Sequence, residues 1–215
     1  MNPFPQILSP AQTLEEWRNA LTHFVGVLIA LSGVWTLWPA FNISWQLGFG
    51  VAFFVVGMAL MYAASTLYHW ALPGKAKRLL RKFDHIGIYV MIACSYTPVC
   101  VGVVGGWLGW AVFGMLWLVV AAGAVYKIVA IDRWPRLSLA LYLLMGWSGV
   151  FIAGPVWEGL STFSLVLLLI EGLAYTGGTY FFANDHRPHY HAIWHVFVLL
   201  GSLAHWGVVL NILFA

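Results

Sequence analysis

The segment His191-Ala192-Ile193-Trp194-His195 sets two imidazoles four residues apart. On a helix such residues share a face, with Cβ atoms about 5–6 Å apart. Two ring nitrogens at that spacing can take one Zn²⁺ at about 2.0–2.1 Å each. A third imidazole, His69, closes the run Ser65-Thr66-Leu67-Tyr68-His69, so Ser65 and His69 also share a helix face. Asp84 lies in a third group, Lys82-Phe83-Asp84-His85. Three neutral histidines with one open position make a zinc site that keeps a water. Asp84 would hold that water or stand just behind the ligands, and Ser65 would hydrogen-bond the water or a substrate oxygen. Each motif has a plainer reading when taken alone. His-x-x-x-His arises by chance in a chain with eight histidines. His69 suits the lipid headgroup level, and an Asp in a first helical turn is commonly a cap or dipole partner. Cys94 and Cys100, the two cysteines of the chain, add nothing to the set. Six residues of helix hold them about 9 Å apart, too far for a disulfide, and the spacing is not a zinc pattern. They read as small buried apolar groups.

The elements that must carry these residues are membrane spans. Of 215 residues 62% are hydrophobic and 8% charged, against roughly 25% charged in a soluble domain. Mean hydropathy is +0.86. Thirteen Trp and nine Tyr suit a chain with many membrane–water interfaces. About 20 apolar residues cross a bilayer as helix. Apolar runs predict seven spans at roughly 20–38, 45–70, 84–103, 107–127, 137–154, 161–182 and 190–213, separated by Pro, Gly and charged residues. The expected organisation is a lead-in over 1–19 and one membrane domain over 20–215. No cleavable leader is expected, because the first apolar run follows Glu15-Glu16 and a single Arg, and no small-x-small site follows it.

With seven spans, all ten Lys and Arg fall on one side: Arg18, Lys75, Lys77, Arg78, Arg81, Lys82, Lys127, Arg133, Arg136 and Arg187. The positive-inside rule makes that side cytoplasmic, with the N-terminus inside and the C-terminus outside. The net charge of +3 is therefore a topology signal, and no nucleic-acid partner is expected. The run from Lys75 to Lys82 can also meet anionic lipid headgroups. This topology, drawn from Lys and Arg alone, brings His69, Asp84, His191 and His195 to one depth. Adjacency of their helices is a further inference. Glu15, Asn19 and His23 recur every four residues and form a candidate polar stripe near the same level, either as support for the site or as an amphipathic lead-in. His85 points off the Asp84 face, and His186 and His189 fall in the last cytoplasmic loop. Glu171, midway along the sixth span, is a candidate relay. His205 lies about 15 Å from His195 along the helix, too far to join the same metal. Gly172, Gly177 and Gly178 read as close helix-packing positions.

These residues together resemble the bacterial hemolysin III family. The motifs are Glu15 to Gly26 (Glu-Glu-x-x-Asn-x-x-Thr-His-x-x-Gly), Ser65 to His69, Lys82 to Tyr89, Tyr96-Thr97-Pro98, Met145-Gly146-Trp147 and His191 to His195. That family is grouped with the progestin and adiponectin receptors and, more distantly, the alkaline ceramidases. The resemblance implies an all-α seven-transmembrane bundle in a cell membrane, the bacterial inner membrane foremost. It implies zinc held at His69, His191 and His195, a zinc-bound water held by Asp84, and Ser65 as the motif serine. Glu171 departs from the pattern, where a small residue is expected.

Three functions stay open on the sequence. One is zinc-dependent hydrolysis of a lipid amide or ester, in the service of membrane lipid or energy homeostasis. The second is a non-catalytic receptor or regulator with structural zinc. The third is a pore-forming haemolysin, disfavoured for a single chain because little but Glu171 and His205 would line a polar path through its outer part. Membrane lipids are the expected partners, and a lipid the expected substrate or ligand.

Overall fold

In the computed structural model, which describes residues 8–215, every long apolar run is helical. Helix α1 (Pro10–Ser32) starts at a capping box: Ser9 Oγ accepts from the Gln12 N–H, and the Gln12 side chain accepts from the Ser9 N–H. Pro10 occupies the first turn, where its missing N–H costs nothing. A 3₁₀ turn (Gly33–Thr36) leads into the short α2 (Leu37–Ile43). The extended Ser44 then breaks the chain, and its side chain caps α3 (Trp45–Trp70). Helix α4 (Lys75–Thr97) runs into a π-helical turn, Pro98–Val104. Gly105 and Gly106 follow at φ 60° and 53°, left-handed geometry that glycine adopts freely. Beyond them lie α5 (Gly106–Ala130), α6 (Pro135–Gly146), a 3₁₀ stretch (Trp147–Ile152), α7 (Ala153–Gly159), α8 (Thr162–Ala183) and α9 (Tyr190–Phe214).

Seven of the resulting helical segments are long and apolar enough to cross a membrane: Pro10–Ile43, Trp45–Trp70, Lys75–Val104, Gly106–Ala130, Pro135–Gly159, Thr162–Ala183 and Tyr190–Phe214. The chain is a multi-pass membrane protein. The helices outrun the apolar cores expected from sequence. Of the lead-in expected over 1–19, residues 1–7 lie outside the described residues, and from Pro10 the chain is already helix α1. The basic run from Lys75 to Lys82 is the first part of α4, so only Ala71–Gly74 connects α3 to α4.

Helix α3 is the axis of the bundle, packed against α1, α2 and α4, and α9 closes the ring between α1 and α8. Three inward stripes explain the arrangement. On α3 it is Val51, Phe54, Met58 and Tyr62, each at most 1% exposed, continued by Ser65 and His69. On α9 it is His195, Val198, Ser202, His205 and Val209, and on α1 it is Asn19, His23, Gly26 and Ala30. All three keep the spacing of a helix face. The opposite face of α1 exposes Leu21, Phe24, Leu28 and Leu31, as a lipid-facing surface does. A second apolar cluster, with Tyr89, Val101, Leu116 and Met145 at its centre, joins α4, α5 and α6.

Lipid tails are as apolar as the core, so close packing of small residues, rather than water exclusion, holds such helices together. Gly57 of α3 sits against Cys94 of α4, where an added Cβ would lie 2.4 Å from the Cys94 Cβ. Gly178 has the same relation to Trp194 and Phe197 of α9, whereas Gly172 and Gly177 have ordinary contact distances. Gly57→Ala should therefore destabilise the bundle by about 1–3 kcal/mol. Gly114→Ala in α5, with nothing within 4 Å of the new methyl, should be neutral or slightly stabilising. Thermal unfolding of the two variants in one detergent checks the contrast.

Candidate metal centre

His69 lies in the last turn of α3, and His191 and His195 lie in the first two turns of α9, at the end of the bundle that carries the Lys and Arg side chains. Their rings form a triangle with centroids 5.0 Å (His69–His191), 5.1 Å (His69–His195) and 4.7 Å (His191–His195) apart. One nitrogen from each falls within 4.8 Å of the other two. Nitrogens that share a tetrahedral zinc stand roughly 3.4 Å apart, so small side-chain rotations close the set.

Hydrogen bonding decides which nitrogens face the centre. His69 Nδ1 donates to Glu16 Oε2 at 2.8 Å. The other oxygen of Glu16 pairs with Lys77 Nζ at 3.0 Å, and Lys77 also donates to the Tyr68 and Ala71 carbonyls at 3.0 and 3.1 Å, tying the end of α3 to the start of α4. His195 Nδ1 donates to the Asn19 carbonyl at 3.1 Å and lies 3.0 Å from Thr22 Oγ1. His191 Nδ1 lies 3.6 Å from Asp185 Oδ2, and this polar contact is the main cause holding the Asp185 carboxyl below the usual carboxylate range. Every outer nitrogen thus has an oxygen beside it, the arrangement that fixes the tautomer of metal-bound histidines. Nε2 is left as the nitrogen free to bind a cation. In His69 and His191 it is buried and has no hydrogen-bond partner among the described residues. Buried polar atoms without partners cost about 1–3 kcal/mol each, and a shared cation relieves that cost. An all-imidazole set suits Zn²⁺ among the common divalent ions.

Ser65, one turn before His69, is wholly buried, and its hydroxyl has no hydrogen-bond partner among the described residues. Thr66 beside it is in the same condition. Asp84 comes from α4, half-buried, and its carboxylate is not among the atoms of the 4.8 Å set. His23 lies flat on His195, with centroids 3.5 Å apart and 14° between planes. Both its ring nitrogens are buried without partners among the described residues. Asn19 serves the site through its backbone carbonyl. Glu15 turns away: its Oε1 accepts from the His189 N–H at 3.0 Å, while Arg18 Nη1 reaches His189 Nδ1 at 2.9 Å. Together they clasp the loop that enters α9, where His189 is the one non-glycine with positive φ (68°) among the described residues. Glu171 is remote from the three histidines and pairs with His205.

Sequence reasoning missed Glu16, Thr22, Lys77 and Asp185. Glu16 had a signal, since Glu16, Asn19 and His23 keep an i, i+3, i+7 spacing as regular as the i, i+4, i+8 spacing that favoured Glu15. Asp185 lies in a loop, where no periodicity points anywhere.

A haemolysin-III-related family model matches residues 11–206. The chain is 37% identical over 203 residues to the hemolysin-3 homolog of Bacillus subtilis strain 168, covering 91% of this chain and 93% of that one. It is 35% identical over 190 residues to hemolysin-3 of Bacillus cereus, covering 87% of each. It is also similar to human monocyte to macrophage differentiation factor, 28% identical over 218 residues, with 93% of this chain and 85% of that protein covered.

Metal analysis of purified protein should find about one zinc per chain, lost on His191→Ala or His195→Ala. Glu16→Gln keeps a side chain that can accept from His69 but removes the charge. It should weaken zinc binding by about 10–100-fold, read by competition with a chelating dye.

Proposed function

The chain belongs to the haemolysin-III-related family, and from that premise we propose that it is a zinc-binding protein of the cell membrane that regulates membrane lipid state, with hydrolysis of a lipid amide or ester as its mechanism. The observation that carries this reading is the convergence of the three imidazoles, each held from outside, with buried Nε2 atoms on His69 and His191 that nothing else satisfies. Three protein ligands and one open position is the form of a catalytic zinc site rather than a closed structural one. Bound zinc would supply an acidified water and a polarised scissile carbonyl. Asp84 takes the water's proton and returns it to the leaving group. Ser65, whose hydroxyl has no other partner, donates to the oxygen on which negative charge develops. Glu16, Asp185 and the Asn19 carbonyl hold the rings in register, so the geometry exists before a substrate arrives. The basic end faces the cytoplasm, which puts the reacting bond near the headgroups of the inner leaflet and makes a membrane lipid the natural substrate.

A structural role for zinc is favoured by a different observation. His69 comes from α3, His191 and His195 from α9, and the outer nitrogens of His69 and His195 lean on α1 through Glu16 and Asn19. A cation there would cross-link α3 to α9 and stabilise the folded bundle. The pore reading gains no such support, since the stripe of α3 beyond Tyr62 is the apolar Val51, Phe54 and Met58, all but fully buried.

Turnover of ceramide-type amides and of lipid esters by the zinc-loaded protein in detergent separates the two roles. Asp84→Asn should lower kcat by about 10²–10⁴-fold with zinc content unchanged. Turnover no greater than that of His191→Ala across both substrate classes would sink the hydrolase. Zinc-dependent thermal stability surviving that result would leave the structural role.

A further inference from the structure

The two ionisable side chains in the middle of the bundle meet each other. Glu171 stands half-way along α8 (Thr162–Ala183), and His205 lies well along α9, about 15 Å from His195. His205 Nδ1 and Glu171 Oε2 are 2.8 Å apart. His205 is 2% exposed and Glu171 9%. The face of the imidazole is covered by Phe54 of α3, with ring centroids 4.7 Å apart. Its second nitrogen, Nε2, is buried and has no hydrogen-bond partner among the described residues. An ionisable residue at this depth is expensive and does not persist without a partner or a use. Glu171 has a partner in His205, and the pair together still carries an unused nitrogen.

The surroundings offer no countercharge. All ten Lys and Arg belong to the basic end of the bundle. The titratable groups that face the pair are hydroxyls. Tyr175 lies one turn along α8. Tyr62 comes from α3, and Tyr96 from α4 has its hydroxyl engaged by the Gly146 carbonyl and the Gly149 N–H. Cys94 of α4 is taken up against Gly57, and Glu158 lies exposed on α7, away from the core. Tyr175 and Tyr62 both bond Ser202 of α9, at 3.1 and 2.8 Å, forming a short hydroxyl ladder one turn from His205 on the side of the histidine cluster. The ring of Tyr62 then meets His23 edge-on at 5.0 Å, and His23 stacks on His195.

We propose that Glu171 and His205 form a proton-binding site near the middle of the membrane, distinct from the candidate metal centre, with His205 Nε2 as the atom that receives the proton. The balance is simple. In the empty state Glu171 is a carboxylate and neutral His205 donates Nδ1–H to Oε2. A proton arriving at Nε2 makes an imidazolium. The Nδ1 proton then passes to Oε2, leaving a neutral carboxyl and a neutral imidazole protonated at Nε2. One proton enters and the pair loses its net negative charge. In a low-dielectric interior without Lys or Arg nearby, that change in charge is the largest local electrostatic event available. The pair therefore responds to proton supply within the bundle, and the hydroxyl ladder gives the response a direction, towards the wall of the metal centre. The site stands whether or not the protein is a hydrolase.

Infrared difference spectroscopy on the full-length protein in lipid vesicles, taken between alkaline and acidic buffer, reads the carboxyl directly. A protonated-carboxyl band should appear on acidification and shift when the protein is made with ¹³C-glutamate, and the Glu171→Gln spectrum, which keeps Glu15, Glu16 and Glu158, should lack one component of it. If Glu171→Gln does not fold, His205→Gln in labelled protein decides: removing the base should move the midpoint of that band by about one pH unit or more. A ¹³C-sensitive spectrum of folded Glu171→Gln identical to that of wild type, or a Glu171 component whose midpoint is unmoved in His205→Gln, overturns the proposal. So does folded wild type whose spectrum has no titrating glutamate band beyond those of Glu15, Glu16 and Glu158. The pair would then be a fixed packing contact.

Discussion

The bundle's basic end is organised around nitrogen atoms that have nothing to bond. A histidine in a membrane core must satisfy two ring nitrogens; the protein hydrogen-bonds one of them at His69 and at His195, and sets Asp185 3.6 Å from one at His191. Glu16, Asp185 and the Asn19 carbonyl take the outer nitrogens. The inner ones of His69 and His191 are turned to a common point and left without a partner. Desolvating a polar group without a hydrogen bond works against folding. A cation shared by the three rings would relieve that cost. Much of the local architecture follows: why α1 lies across α3 and α9, why Lys77 reaches back over the end of α3, and why the loop before α9 is clasped by Glu15 and Arg18.

Depth explains how one stripe can be both core and site. The inward face of α3 passes from Val51, Phe54 and Met58 through Tyr62 to Ser65 and His69 with no change of spacing. Its apolar half packs, and its polar half reaches the histidine cluster. On α9 the order is mixed, with His195, Ser202 and His205 spaced along one buried face. Polar side chains there sit opposite one another across the helices rather than facing lipid. Each finds a partner from α1, α3 or α8, which is what a low-dielectric medium demands of them.

Much of this was legible in the sequence, because the bilayer is a severe reader of sequences. Twenty apolar residues between Pro, Gly and charges leave few alternatives to a spanning helix, and the spans came out within a few residues at α8 and α9. The errors lie at the ends that water tolerates: α1 begins at Pro10 and α4 at Lys75, both before any apolar run. His191 and His195 were legible from their spacing, and His69 from depth. Glu16 was passed over for Glu15 because a single residue's rotation on a helix, about 100°, decides whether a carboxylate meets His69 or the backbone of His189. Asn19 belongs to the expected polar stripe, but it is its backbone carbonyl, which every residue has, that meets His195. No pattern of side-chain types encodes that choice.

The supports are unequal, and the inequality bears on how the site works. Glu16 is itself held by Lys77, so the His69 ring is braced through two further groups, and His195 is pressed flat beneath His23 and bonded to α1. His191 has only Asp185, at 3.6 Å from a loop, and is the most open of the three rings. A cation held by two rigid rings and one compliant one would be able to change its coordination without straining the helices that carry them. A purely structural cross-link has no use for the compliant arm; a site that must admit and release a fourth ligand does. The compliant arm also lies beside the small cleft lined by Glu15, Asn19, Asp185 and His189. Water and polar groups at the basic end of the bundle thus approach the cluster at the point where it can give way.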